Sequence, residues 1–346
     1  MIQRIQNRPK WQRTLIFTVA VMSVILSVCG ISYFILYATA NSEPRSEPVI
    51  FTDNATVREF VALPDDDAYP VALAIAEDGT LYSGSFVTGA VWQIDATGEY
   101  TEVSDSRAEI GAVGGLDVYD NALYVLDVGV PLRQSDSAIW RIVSDDTLEK
   151  VYDLSPAELA SPNDIVLDDD GNIYISDLTT DAIWQLDAEG NLEQWWTAPI
   201  ENDENPALTG LAYDNVENRL LITDSATSRI YAVDIETITS DILYTEASTD
   251  EFPFFEGITV SEDGRIFIAA SATHQIAALQ DDTLRYLAGG FRNSSDVAYD
   301  ADRSRLYVAN SEQRTLLPEN FLTIIPVEVA PHLPFTIDVI EFDASE

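Results

Sequence analysis

One stretch recurs six times along this chain, and that recurrence constrains the fold more than any single residue. Ser161 to Gly190 (SPNDIVLDDDGNIYISDLTTDAIWQLDAEG) contains three short β-type runs, Ile165 to Leu167, Ile173 to Ser176 and Ala182 to Leu186. An Asp-Gly turn and a polar Thr/Asp turn separate them, so the stretch reads as a three-stranded meander. A lone meander buries neither of its faces. The same unit begins at Pro70, Val113, Leu208, Phe255 and Ser294.

Aligning the six copies places Val71, Gly114, Asn163, Thr209, Glu256 and Ser295 in one column, at intervals of 43, 49, 46, 47 and 39 residues. A fourth strand-like piece follows five of the copies: Tyr100 to Val103, Leu148 to Tyr152, Leu192 to Trp196, Ile242 to Thr245 and Leu284 to Leu287. Four strands per period of roughly 40 to 50 residues describe a propeller blade. An ordinary β-sandwich is the alternative, but its strands do not repeat as a block. The expected fold is all-β: a six-bladed β-propeller preceded by a single N-terminal transmembrane helix.

The ends of the ring are legible too. The sixth copy has strands near Val297, at Leu306 to Ala309 and at Thr336 to Phe342, and lacks a fourth. Thr56 to Leu63 has the character of a fourth strand but precedes the first copy, so it is expected to pair beside Thr336 to Phe342 and close the ring. The propeller then occupies residues 55–346, with an insertion at 311–334 in blade six. The insertion reads as a lid, a bilayer-resting surface around Phe321 to Ile325, or an extra edge strand.

Residues 1–13 are basic and polar, expected in the cytoplasm. Residues 14–40 contain no Asp, Glu, Lys or Arg. As a helix this segment rises about 40 Å, enough to cross a hydrocarbon core of about 30 Å. Its cations lie on the N-terminal side, which places the propeller outside. A cleaved signal peptide is the competing reading, since Ala38-Thr39-Ala40 resembles a cleavage site. Residues 41–54 read as a linker.

Of the 18 basic residues, Arg4, Arg8, Lys10 and Arg13 precede all 59 acids, so the portion from Asn41 onward carries 14 − 59 = −45. Such a surface repels nucleic acid and anionic lipid, and is compatible with divalent ions, cationic partners or a saline medium. Cys29 is the only cysteine, which rules out an internal disulfide. No GxSxG, P-loop, HExxH or CxxC motif is present.

The aligned column rings one mouth of the channel, and the next position adds Asp164 and Asp296. A second ring, Ser85, Asp127, Asp177, Asp224, Ala270 and Asn310, is expected mostly to hydrogen-bond neighbouring turns, with Asp127, Asp177 and Asp224 as candidate ligand contacts. Several carboxylates and amides converging on an axis, with only His274 and His332 as histidines, favour a hard ion such as Ca²⁺ over zinc or copper.

The units Ser161-Pro162-Asn163-Asp164, Asp170-Gly171, Tyr174, Asp177 and Phe255-Glu256-Gly257, Asp263-Gly264 resemble those of the senescence-marker-protein/gluconolactonase family and its strictosidine-synthase-like relatives. The resemblance covers roughly residues 55 to 343. It implies a divalent cation, commonly calcium, that polarises a lactone or ester carbonyl and activates water. Carried over, it makes Glu256 a metal ligand and the catalytic base, and Asn163 a metal or substrate contact. Thr209 stands at the site of an asparagine ligand and Val71 at that of a glutamate; Asp164, Ser295 and Asp296 are the candidate replacement donors. Two functions follow: an extracytoplasmic metal-dependent lactone or ester hydrolase, with Thr209 and Asp224 as further substrate contacts, or a non-catalytic propeller that binds a small molecule or a protein partner with a degenerate metal site.

Overall fold

The computed structural model describes residues 9–12, 18, 19, 21, 22, 27, 29, 30, 32, 45–129, 136–143, 147–155, 157, 159–199, 205–246, 252–281, 283–312, 315, 316, 327, 328 and 331–343. Two compact units emerge, one of Met1–Arg45 with Gln313–Pro331 and one of Ser46–Glu312 with His332–Glu346. In the first, residues 10–12 are helical and Thr315–Leu316 pairs antiparallel with Val327–Glu328. Among the described residues no helix is long and apolar enough to cross a membrane. Most of the expected span at 14–40, and Phe321 to Ile325, lie outside the described residues.

The second unit is a six-bladed propeller. Blade one comprises Pro70–Ile75, Leu81–Ser85, Val91–Ile94 and Tyr100–Glu102. Blade two comprises Val113–Tyr119, Ala122–Asp127, Ala138–Ile142 and Leu148–Asp153, after the short helix Ser106–Glu109. Blade three runs through Pro162–Leu167, Ile173–Asp177, Ala182–Leu186 and Leu192–Thr197. Blade four follows with Leu208–Asp214, Arg219–Asp224, Arg229–Asp234 and Ser240–Thr245. Blade five is Phe255–Val260, Ile266–Ala270, Gln275–Gln280 and Thr283–Gly289, and blade six opens with Ser294–Asp300 and Arg305–Asn310.

Thr336–Phe342 is the third strand of blade six, and Ala55–Ala62 pairs with it from Ala55↔Phe342 to Ala62↔Thr336. The chain therefore closes its ring with its own first long strand, as the sequence led one to expect. One element differs from expectation. Val49–Ile50, read as linker, adds a fifth strand to the outer edge of blade five, opposite Ala288 and Gly289. An outer edge offers unpaired backbone groups to any passing extended segment.

Burial follows strand position. The second strands of blades three and five are buried throughout, whereas Tyr100–Glu102 on the rim of blade one is exposed throughout. Alternate side chains of each sheet face opposite neighbours, so the apolar interior divides into six clusters, one per blade interface. Trp92, Tyr307 and Phe335 fill the interface of blades six and one. Tyr174, Trp196 and Tyr231 fill that of three and four.

In blades two, three and four a buried carboxylate ties the incoming segment to its blade. Asp127 accepts hydrogen bonds from the Gly111, Ala112 and Gly129 amides at 2.9–3.2 Å. Asp177 does the same for Ala160, Ser161 and Thr179. At the ring closure the fully buried Arg292 meets Glu312, Thr336 and the Ser46 carbonyl, with Asp338 and Glu59 within 4.0 Å.

Candidate active site in the channel

The six first strands line the channel, and among the described residues their inner edges have no neighbouring strand. Backbone N–H groups there need side-chain or water partners. Three carboxylates supply some of them, each reaching to the next blade. Asp117 accepts from Leu167 at 2.7 Å, Asp164 from Leu211 at 2.8 Å, and Asp296 from Leu73 at 2.7 Å. In each case the second oxygen accepts the amide of the following residue, Val118, Ile165 or Val297, at 2.8 Å.

These acids sit inside a protein wall, and burial dominates their titration. It pushes Asp117 up to about 7 against two amide bonds that pull it down. Asp164 likewise rises to about 7, with the Asp117 charge adding to burial. Asp296 lies well above the carboxylate range because of burial first and then the charges of Asp164 and Glu256. Burial raises Glu256 to about 7, and a hydrogen bond with Ser271 opposes it. A cavity of about 350 Å³ runs along the channel beside Asp117, Asp164 and Asp296, and among the described residues no lysine, arginine or histidine lines it.

The charges of Asp164 and Glu256 both act on Asp296, raising it further after burial. Asn163 and Glu256 are half-buried at the beginnings of the channel strands of blades three and five. The Asn163 side chain makes no hydrogen bond among the described residues. Thr209 is buried, and its hydroxyl is engaged with the Phe255 carbonyl at 2.9 Å and the Thr223 hydroxyl at 3.0 Å. Asp224 is fully buried and binds the Ala207, Ala226 and Thr227 amides, which is the turn-holding role of its ring. Asn163, Thr209, Asp224 and Glu256 are all absent from the described lining of the channel cavity, which holds Asp117, Asp164 and Asp296. Asp117 escaped the sequence reading because it stands three residues beyond the aligned column. Its signal is a lone acid inside the apolar channel strand VGGLDVY.

The donors do not fit a resident divalent cation. Calcium takes six to eight oxygens. Val71 and Gly114 offer no side-chain oxygen, Thr209 is engaged, and Ser295 donates to the Pro70 carbonyl at 3.4 Å. Both oxygens of Asp164 and of Asp296 already hold amides. Among the described residues no three His, Cys, Asp or Glu side chains gather closely enough to hold a metal.

The family model described as SMP-30/Gluconolactonase/LRE-like region matches residues 72–312. The chain belongs to that family. No curated protein matches it. A gluconolactonase from Xanthomonas campestris is similar at 16% identity and a TM-score of 0.57, over 87% of this chain and 99% of that one. A luciferin-regenerating enzyme aligns at 14% identity and a TM-score of 0.61, over 83% and 95% of the two chains. A streptogramin B lyase aligns at 16% and 0.58, over 84% and 98%. At such identities the likeness shows the fold, and that fold serves proteins named for different reactions.

Proposed function

We propose that this gluconolactonase-like propeller binds a small, neutral, oxygen-rich molecule at the channel mouth between Asn163 and Glu256, without a resident divalent cation. One observation supports the reading: of the six residues in the mouth ring, only Asn163 and Glu256 have polar side chains that bond no backbone group among the described residues, and the hydrogen-bond partner of Glu256 is the Ser271 side chain. The Asn163 amide donates and accepts. The Glu256 carboxyl, raised to about 7, is part protonated at neutral pH and also does both. Such a pair suits hydroxyl and carbonyl groups better than charged ones.

Titration calorimetry of the protein with lactones and sugar acids tests this, with Glu256→Gln and Asn163→Ala as variants. Binding that Asn163→Ala weakens about tenfold or more, and that EDTA leaves unchanged, supports the reading. Binding that requires Ca²⁺ refutes it.

A second reading, hydrolysis of a lactone or small ester, is favoured by the same carboxyl, because a base with a pKa near the working pH transfers protons efficiently. In that case Glu256 takes the proton of an attacking water while Asn163 holds the carbonyl oxygen. Lactone turnover in EDTA, lost in Glu256→Gln, distinguishes the two.

We infer further that residues 14–40 anchor the protein in a membrane with the N-terminus cytoplasmic and the propeller on the other side. The uncharged segment and its N-terminal cations support this. Carbonate-resistant membrane association and protease access to the propeller from the outer side test it. The −45 of the remaining chain disfavours a nucleic-acid partner.

A further inference from the structure

We propose that Asp164 and Asp296 are structural staples that join the six channel strands into two sets of three, and that the ring is closed at its axis without a divalent cation. The inference goes beyond the ligand reading and does not depend on it.

Its basis is a geometric equivalence between opposite blades. Asp164 directly precedes Ile165, which pairs with Ile175, and Asp296 directly precedes Val297, which pairs with Val308. Ile175 and Val308 each lie two residues before the end of a second strand, Asp177 and Asn310. The two carboxylates therefore occupy the same step of blades three and six, which face each other across a six-membered ring. The same step on the other blades is Ala72, Gly115, Gly210 and Gly257. Read around the ring the residues are Ala, Gly, Asp, Gly, Gly, Asp: a small, small, acid triplet used twice.

The small residues are seats for the acids. A Cβ on Gly115 would lie 2.2 Å from Asp164 Oδ1 and 2.9 Å from its Cα. On Gly257 it would lie 2.1 Å from Asp296 Oδ1 and 2.5 Å from its Cα. Each carboxylate thus packs on the bare backbone of the preceding blade while accepting an amide of the following one. Asp164 touches blades two, three and four; Asp296 touches five, six and one. Together they contact all six.

Channel strands are unpaired edges, and an edge amide facing a pore must find an acceptor. Here that acceptor belongs to a neighbouring blade, so satisfying the backbone also fixes the spacing of the strands. Oxygens held this way are directed at amides instead of a shared point on the axis.

The test is thermal unfolding of the full chain at one fixed pH, in millimolar CaCl₂ or in EDTA, for the parent protein and for Asp164→Asn, Asp296→Asn, Gly115→Ala and Gly257→Ala. The parent is expected to melt at the same temperature in both media. Each asparagine variant loses one of two acceptors and melts about 2–4 °C lower. Each alanine variant also melts lower, and adding Gly115→Ala to Asp164→Asn costs less than the sum of the two, because both act on one contact. If an alanine variant fails to fold, Asp164→Asn and the calcium comparison still decide the matter. A parent melting temperature raised by Ca²⁺, with Asp164→Asn abolishing the rise, overturns the proposal, as do asparagine variants that melt with the parent.

Discussion

Replacing Arg292 by methionine should be among the most damaging single changes to this fold. The guanidinium is buried at the ring closure, where it meets Glu312, itself 1% exposed, together with Thr336 and the Ser46 carbonyl. Methionine roughly fills the volume but strands the Glu312 carboxylate without its cation. Removing one partner of a buried pair costs about 3–5 kcal/mol. At about 2.1 cal/mol/K per residue, a domain of roughly 290 residues has an unfolding entropy near 0.6 kcal/mol/K, so the melting temperature should fall by about 5–8 °C. Scanning calorimetry measures this directly. The double variant Arg292→Met with Glu312→Gln should recover part of the loss, since it neutralises the closest stranded carboxylate while Asp338 still lacks its cation. A single variant that melts within a degree of the parent would refute the argument, and so would a double variant no better than the single.

Other expectations follow from the same geometry. Asp117 is raised to about 7 by burial, so the folded state holds a proton there that the unfolded chain, titrating near 3.8, has released. Its contribution to stability is complete below about pH 4 and is lost as pH rises towards 7; in melting curves between pH 5 and 8, Asp117→Asn should flatten the decline by up to one proton's worth of slope. Thr209→Val removes a hydroxyl bonded to the Phe255 carbonyl and should cost about 1–3 kcal/mol in urea unfolding while leaving ligand affinity unchanged. Deleting residues 46–62 strips blade six of its fourth strand and Arg292 of the Ser46 carbonyl, so the product should fail to melt cooperatively. Sodium chloride should raise the melting temperature, because screening relieves repulsion among the acids that give the chain beyond Asn41 its −45 charge.

Much of the architecture could be read from residues because each blade repeats a local code. Asp-Gly turns end the first strands at Gly79, Gly171 and Gly264, all with φ near +80°, a backbone region where a side chain is strained. Period-2 apolar runs then place the strands, and the missing fourth strand of the last copy identifies its partner at the other end. Val49–Ile50 was not legible, since two residues carry no period and a vacant edge on blade five decides their pairing. For the channel, alignment places Asn163 and Glu256 on inner strands. It does not reveal that the Thr209 hydroxyl turns to the blade-five carbonyl or that Asp164 reaches an amide of blade four. Those directions depend on the neighbouring blade, whose position no local pattern encodes.

The pairing of Ala55–Ala62 with Thr336–Phe342 sets a timetable for biogenesis. A ribosome makes the first of these segments near the start of the domain and the second near its end, so one sheet edge waits bare through almost all of synthesis. Five blades are able to collapse in order as they emerge, whereas the sixth awaits a partner from the far terminus. A translation pause or truncation anywhere between the two leaves an adhesive strand exposed, which makes this seam the point where quality control and aggregation would compete.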